Sequence, residues 1–277
     1  MRLDRALHAR GLARSRSHAQ ELIARGAVTV DGAAATRPAQ AVDDATVLAV
    51  SDDAARYVSR AAHKLISALD ACEPLGLDVA GVRALDAGAS TGGFTQVLLE
   101  RGAAHIDAVD VGHDQLAPEL RNDDRVAVFE GVNVRDLAPG SPGTGAELVV
   151  ADLSFISLTL AVPALVRTVA ATADYVLMVK PQFEVGRGRL SARGVVTDRK
   201  ARAEAVANVA ACMEREGLTI HHVARSALPG PHGNVEFFVW ASGAWQASGE
   251  KAARPVLHGE ALAARIAHEV QEAEGDQ

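Results

Sequence analysis

Four charged residues stand at the edges of apolar runs in this chain of 277 residues. Asp152 follows Leu148–Ala151, Lys180 follows Tyr175–Val179 and precedes Pro181, Glu236 lies at the start of Val235–Trp240, and Lys64 sits on a helical stretch upstream. Lysines set beside carboxylates can hold and move protons, whereas an isolated Lys or Asp is usually solvated surface. A second group begins at Asp86-Ala-Gly-Ala-Ser-Thr-Gly-Gly-Phe94. Its small residues let the backbone pass close to a ligand, and the helix that follows favours negative charge at its start. Asp110, 22 residues after Gly88, is suited to accept bonds from both hydroxyls of a ribose; the alternative is a cap for a helix over His113–Leu120. Asn133 could hold an adenine or make a turn. Together the three positions favour a nucleoside ligand.

From residue 60 onward, strand-like and helix-like segments alternate. Strands are expected at Val82–Asp86, Ile106–Val111, Arg125–Phe129, Glu147–Leu153, Tyr175–Val179, Leu218–Ser226 and Val235–Trp240, with helices at Ala61–Ala71, Phe94–Arg101 and Lys200–Glu216. Such a succession makes an α/β fold with a doubly wound, mostly parallel sheet, whose ligands bind beyond the carboxyl ends of the strands. The turn at Leu228–Gly233 is too short for a crossover, so the last strand is antiparallel and Glu236 shares that edge. Read as a dinucleotide fingerprint, Gly88-x-Ser90-x-x-Gly93 lacks its second glycine; read as a phosphate loop it lacks a lysine. It fits the Asp-x-Gly-x-Gly-x-Gly turn of S-adenosylmethionine (SAM) methyltransferases, with Ser90 in the middle glycine position; a plain strand–helix turn is the alternative. The candidate cofactor residues are Asp86, Gly88, Ala89, Ser90, Thr91, Gly92, Gly93, Phe94, Asp110, Asn133 and Asp152.

Hydrophobic residues make up 48% and charged residues 23%, which excludes disorder for the bulk of the chain. Cys72 and Cys212 have no CxxC spacing, and His221, His222 and His232 lack ligand partners, so neither disulfides nor a metal is expected, and a cytoplasmic setting fits. The charged N-terminus does not resemble an export signal. Leu153–Val166 is interrupted by Ser154, Ser157, Thr159 and Pro163, so no membrane role is expected. The net charge of −7 hides an asymmetry: residues 1–40 hold seven arginines against three acids, while the remainder holds 21 basic and 32 acidic residues. This reads as a basic binding module on an acidic body, with a solvated arginine face as the alternative. The order of motifs in Ser15–Gly32, SRSHAQELIARGAVTVDG, closely resembles the S4 RNA-binding domain. Residues 187–202 carry six basic residues and one acid in a glycine-interrupted segment, read as a mobile arm for RNA phosphates or as solvated loop charge. The RNA-binding candidates are Arg2, Arg5, Arg10, Arg14, Arg16, Arg25, Arg60, Arg187, Arg189 and Arg193.

The runs Tyr57-Val-Ser-Arg, His63-Lys64-Leu65, Asp86–Phe94, Asn133-Val-Arg-Asp-Leu, Asp152-Leu-Ser-Phe-Ile-Ser, Lys180-Pro-Gln-Phe-Glu and Gly233-Asn-Val-Glu236 resemble the TlyA (hemolysin A) family of rRNA 2′-O-methyltransferases. The likeness spans residues 2 to about 242, departing at Ala61-Ala62, where the family commonly has glycines, and at Tyr57, often a tryptophan. It implies a small α+β S4-like domain (1–55), a linker (56–63) and a Rossmann-like, FtsJ-like methyltransferase domain (64–277). It further implies SAM as cofactor, a cytidine ribose of rRNA in the small or large ribosomal subunit, or both, as substrate, and Lys64, Asp152, Lys180 and Glu236 as a catalytic tetrad. Lys180, near a second amine and a sulfonium, would then accept the hydroxyl proton or only orient it. A non-catalytic ribosome assembly factor, a membrane-lytic protein and a nicotinamide dehydrogenase are the competing classes.

Overall fold

A computed structural model of the chain describes residues 1–24, 27–35, 37–50, 56–230, 233–244 and 254–272. It divides into two compact units, Met1–Arg60 and Ala61–Gln277.

The first unit packs two short helices, α1 (Leu3–Ala9) and α2 (Arg16–Ala24), with a three-stranded antiparallel sheet of β1 (Val28–Val30), β2 (Ala33–Ala34) and β3 (Leu48–Val50) in the order β2-β1-β3. Leu3, Leu7, Leu22, Ile23 and Val28 form its core. Ser15 caps α2 by accepting from the His18 N–H at 3.1 Å. Asp4 is fully buried inside this small unit. Arg2 donates to it at 3.0 Å, Arg16 and Gln20 at 2.9 Å, and these donors, Arg2 foremost, hold its carboxyl well below the usual carboxylate range.

The second unit is an α/β domain. Its elements run α3 (Ala61–Cys72), β4 (Arg83–Ala87), α4 (Gly93–Glu100), β5 (His105–Asp110), α5 (Pro118–Arg121), β6 (Val126–Glu130), β7 (Leu148–Ala151), α6 (Leu158–Thr168), β8 (Asp174–Val179), α7 (Pro181–Glu184), α8 (Arg199–Arg215), β9 (Thr219–Arg225), β10 (Phe237–Ser242) and α9 (Gly259–Glu272). The seven-stranded sheet has the order β6-β5-β4-β7-β8-β10-β9. The pairs from β6 to β8 are parallel, and β10 runs antiparallel to both β8 and β9. Strands β7, β8 and β10 are buried along their whole length, as expected for a sheet covered on both faces.

Two expected elements differ. The helix expected over His113–Leu120 is only the single turn α5, because Asp114 adopts a left-handed backbone (φ 54°) and Pro118 begins the turn. Glu236 immediately precedes β10 rather than lying within it. The proline inside α6, Pro163, leaves the Thr159 carbonyl without its helical donor, and the Cys212 thiol donates to it at 3.7 Å. Among the described residues no helix is long and apolar enough to cross a membrane, and no group of three or more His, Cys, Asp or Glu is placed to hold a metal ion.

The segment from Arg254 to Glu272 closes the core. Leu262, Ile266 and Val270 of α9 join the main hydrophobic cluster, and the Leu257 N–H donates to the Ile220 carbonyl at 2.8 Å. Arg254 reaches Asp174 at 2.6 and 3.0 Å and lies over the Trp240 ring, whose N–H also donates to Asp174 at 2.9 Å. Replacing Arg254 with Ala removes the cation from a nearly buried pair. We expect a loss of about 3 kcal/mol in urea denaturation followed by tryptophan fluorescence; a change under about 0.5 kcal/mol would show the pair to be dispensable.

Candidate active site

The sheet register sets the site. Ala87 on β4 is level with Ala151 on β7, Ala151 with Leu177 on β8, and Val179 on β8 with Phe237 on β10. The next residues along that edge are Gly88, Asp152, Lys180 and, by the antiparallel turn of β10, Glu236. Distant parts of the sequence therefore converge at the carboxyl ends of the parallel strands.

Two lysine–carboxylate pairs result. Lys180 Nζ lies 2.6 Å from Asp152 Oδ1 as an ion pair, while its aligned hydrogen bond goes to Ser154 Oγ at 2.9 Å. Lys64, on the buried face of α3, donates to Glu236 Oε2 at 2.5 Å, with Met178 Sδ 3.9 Å from the same ammonium. Lys64, Lys180 and Glu236 are all buried, and each charge is tolerated because an opposite charge touches it.

A cavity of about 760 Å³ adjoins the first pair. Of the expected cofactor residues, Gly88, Ser90, Asp110, Asn133 and Asp152 line it; Asp86, Ala89, Thr91, Gly92, Gly93 and Phe94 do not. Phe94 is core, packed 6.2 Å from Phe238. Ser90, standing where a glycine was expected, has φ 47°. That left-handed turn is held by its N–H on Asp110 Oδ2 (2.8 Å) and its Oγ on Gln115 Oε1 (3.0 Å). Gly88 holds a left-handed backbone (φ 87°) that side chains rarely adopt, and a Cβ there would press on the Asp152 carbonyl at 3.0 Å. Asp110 caps no helix. It accepts from the N–H groups of Ser90 and Gly112, each oxygen keeping capacity for a further donor. Asn133 makes a turn, accepting from the Arg135 N–H at 3.1 Å, and also faces the cavity.

The loops after β7 and β8 are fastened to each other. Glu184 accepts from Ser157 Oγ at 2.5 Å and from the Leu158 N–H at 2.8 Å, and burial pushes its carboxyl above the ordinary value. Phe155, held at φ 66° and 92% exposed, stands 5.3 Å from the Phe183 ring. Neither aromatic, nor Gln115, Gln182 and Glu184, was singled out by sequence reasoning, although Gln182 and Glu184 lie in the run that supplied Lys180.

These features match known proteins. A family profile of FtsJ-like methyltransferases matches residues 57–242, and one of the S4 domain matches residues 1–48. Over 240 residues the chain is 55% identical to the 16S/23S rRNA (cytidine-2′-O)-methyltransferase TlyA of Mycobacterium tuberculosis, covering 86% of this chain and 88% of that protein. The chain belongs to the TlyA family of FtsJ-like methyltransferases. A second TlyA relative, the 23S rRNA (cytidine-2′-O)-methyltransferase of Campylobacter jejuni, is 36% identical over 66% of this chain and 70% of its own. A solved, hemolysin-named protein of Streptococcus thermophilus superposes with a TM-score of 0.75 at 33% identity, over 100% of this chain and 96% of that one.

The S4-type unit of this TlyA-family chain uses several candidate arginines internally. Arg2 and Arg16 hold Asp4 while staying half exposed, and Arg10 donates to the carbonyls of Thr46 and Asp43, both at 2.6 Å. Arg5 is exposed. Arg14 and Arg60 each have partners within the chain. Arg25 and the side chain of Arg187 lie outside the described residues. In the basic segment of the second unit, Arg189 pairs with Glu204 at 2.5 Å, and Arg193 is exposed. The segment is tied at Val196, whose N–H donates to Asn234 Oδ1 at 3.0 Å.

Asp86 lies beneath the glycine-rich turn, fully buried, with Thr95 donating to Oδ2 at 2.6 Å and no donor on Oδ1. Burial pushes its pKa up to about 7. The folded chain thus keeps a proton that the unfolded chain releases above about pH 4, so this group's stabilising contribution is lost as pH rises toward 7. Asp86→Asn should therefore gain stability relative to the parent chain, by a few kcal/mol, between about pH 5 and about pH 8. Parallel stability curves for the two proteins would contradict this.

Proposed function

We propose that the chain transfers a methyl group from SAM to the ribose 2′-hydroxyl of a cytidine in ribosomal RNA, acting on ribosomal subunits in the cytoplasm. The observation that carries this reading is the pairing of Lys180 with Asp152, whose carboxylate lines a cavity suited to a nucleoside, with Lys64 paired to Glu236 at the same edge of the sheet. The names of the Mycobacterium and Campylobacter relatives agree with it.

The residues present fit SAM. Asp110 offers acceptors for ribose hydroxyls, Asn133 an amide for the base, and Val111, Val132 and Leu160 an apolar lining. When bound, SAM supplies a methyl group on a positively charged sulfur. Lys180, as a neutral amine, then orients the RNA hydroxyl and receives its proton at Nζ, and Asp152 Oδ1, 2.6 Å away, stabilises the ammonium that forms. Lys64 and Glu236 fix the far side of the hydroxyl, and positioning supplies much of the rate. The exposed face of Phe155 beside the cavity is suited to stack an unpaired base, and the S4-type unit with the 187–202 segment to hold RNA phosphates.

Replacing Lys180 with Met should lower methyl transfer from radiolabelled SAM to purified subunits by about 10³-fold, with RNA binding unchanged. The large subunit is the first substrate to try, since both relatives' names include 23S rRNA. Turnover by the variant at the parent rate would exclude the mechanism.

A further inference from the structure

Glu236 is the most enclosed of the four charged groups, at 1% exposure, and its surroundings define it from three sides. Lys64 Nζ donates to Oε2 at 2.5 Å, and the Gln182 amide donates to Oε1 at 3.1 Å. The third side is Gly230, where a Cβ would overlap Oε1. Gly230 is itself fixed, its N–H donating to the Asn234 carbonyl at 2.9 Å.

The state of the Gln182 amide is informative. An ionised carboxylate only accepts, so the amide must turn its NH₂ group to Glu236 and its carbonyl away. That carbonyl oxygen is buried and meets no donor. A buried acceptor without a donor is a standing cost that packing alone gives no reason to carry. The bond to Glu236 gives such a reason. Gln182 is also two residues beyond Lys180 on the single turn α7, so one short element sets both Lys180 and the carboxylate facing Lys64.

We propose that Gln182 is a positioning residue of the reaction centre. It acts through Glu236, preventing rotation of that carboxylate and so fixing the Lys64 ammonium. The inference rests on the tetrad reading above. A carboxylate bound only by a flexible lysine can swing, and a misplacement of about 1 Å is enough to slow a positioned reaction strongly.

The test uses the full chain, ribosomal subunits and SAM. Gln182→Met keeps much of the side-chain volume and removes both the donor and the unpaired carbonyl. It should lower kcat about tenfold, while the KM for SAM, the Kd for RNA and the melting temperature stay close to the parent values. Gly230→Ala, at a backbone angle open to alanine, displaces the same carboxylate from the opposite side and should give the same split. Combined with Glu236→Gln, Gln182→Met should add no further loss, because its effect runs through Glu236. Parent kcat in both Gln182→Met and Gly230→Ala, or full additivity in the double variant, would overturn the role of Gln182 while a slowed Glu236→Gln left the tetrad standing. Parent kcat in Glu236→Gln would overturn the tetrad, and the proposal with it.

Discussion

Burying two ammonium groups at the end of a hydrophobic sheet is possible only if each has a carboxylate against it, and that requirement governs the second unit. Lys64 and Glu236, and Lys180 and Asp152, neutralise each other at 2.5 and 2.6 Å. Unpaired, a charge as enclosed as Glu236 would destabilise the fold by several kcal/mol. Paired, they are held at one edge of the sheet, where the proposed reaction needs them. The same contacts that make burial tolerable also fix where the four side chains stand.

Meeting that requirement falls to topology. Lys64 and Glu236 are 172 residues apart in sequence. They meet because α3 lays its polar residue toward the sheet edge and because β10 enters antiparallel, bringing its beginning to the edge where β4, β7 and β8 end. The loops leaving that edge are then cross-linked by Glu184 to the start of α6 and by the Phe155–Phe183 contact. Phe155 keeps a left-handed backbone, a strain of about 1–3 kcal/mol that persists only where surrounding contacts over-determine it. The far end of the chain contributes indirectly, since Arg254 and α9 close the side of the sheet on which β8, β10 and β9 lie.

The fold and the placement of the four charged residues were legible in the sequence for a physical reason. Apolar runs such as Leu148–Ala151 and Tyr175–Val179 end abruptly in a charge, and ladder geometry places that charge at an edge. Uncharged and indirect contributors were not legible. Gln115 and Gln182 carry no periodic or charge signal, and their roles exist only once the loops have folded back. The missing middle glycine of the turn became intelligible when Ser90 was seen in the left-handed region, held by Asp110 and Gln115. Charge counting gave the basic character of residues 1–40 but not that Arg2 and Arg16 serve Asp4, because the burial of one aspartate depends on how α1 and α2 pack.

The most direct test of the account is the position of the transferred methyl group. Ribosomal RNA labelled by the chain from radiolabelled SAM would be digested with alkali, which cleaves only next to a free 2′-hydroxyl. If, as proposed, the centre presents the ribose hydroxyl of a cytidine to Lys180, the label must lie in an alkali-resistant dinucleotide with cytidine on its 5′ side. Label released in mononucleotides would place the methyl on a base, and would contradict the assignment of the two lysine–carboxylate pairs.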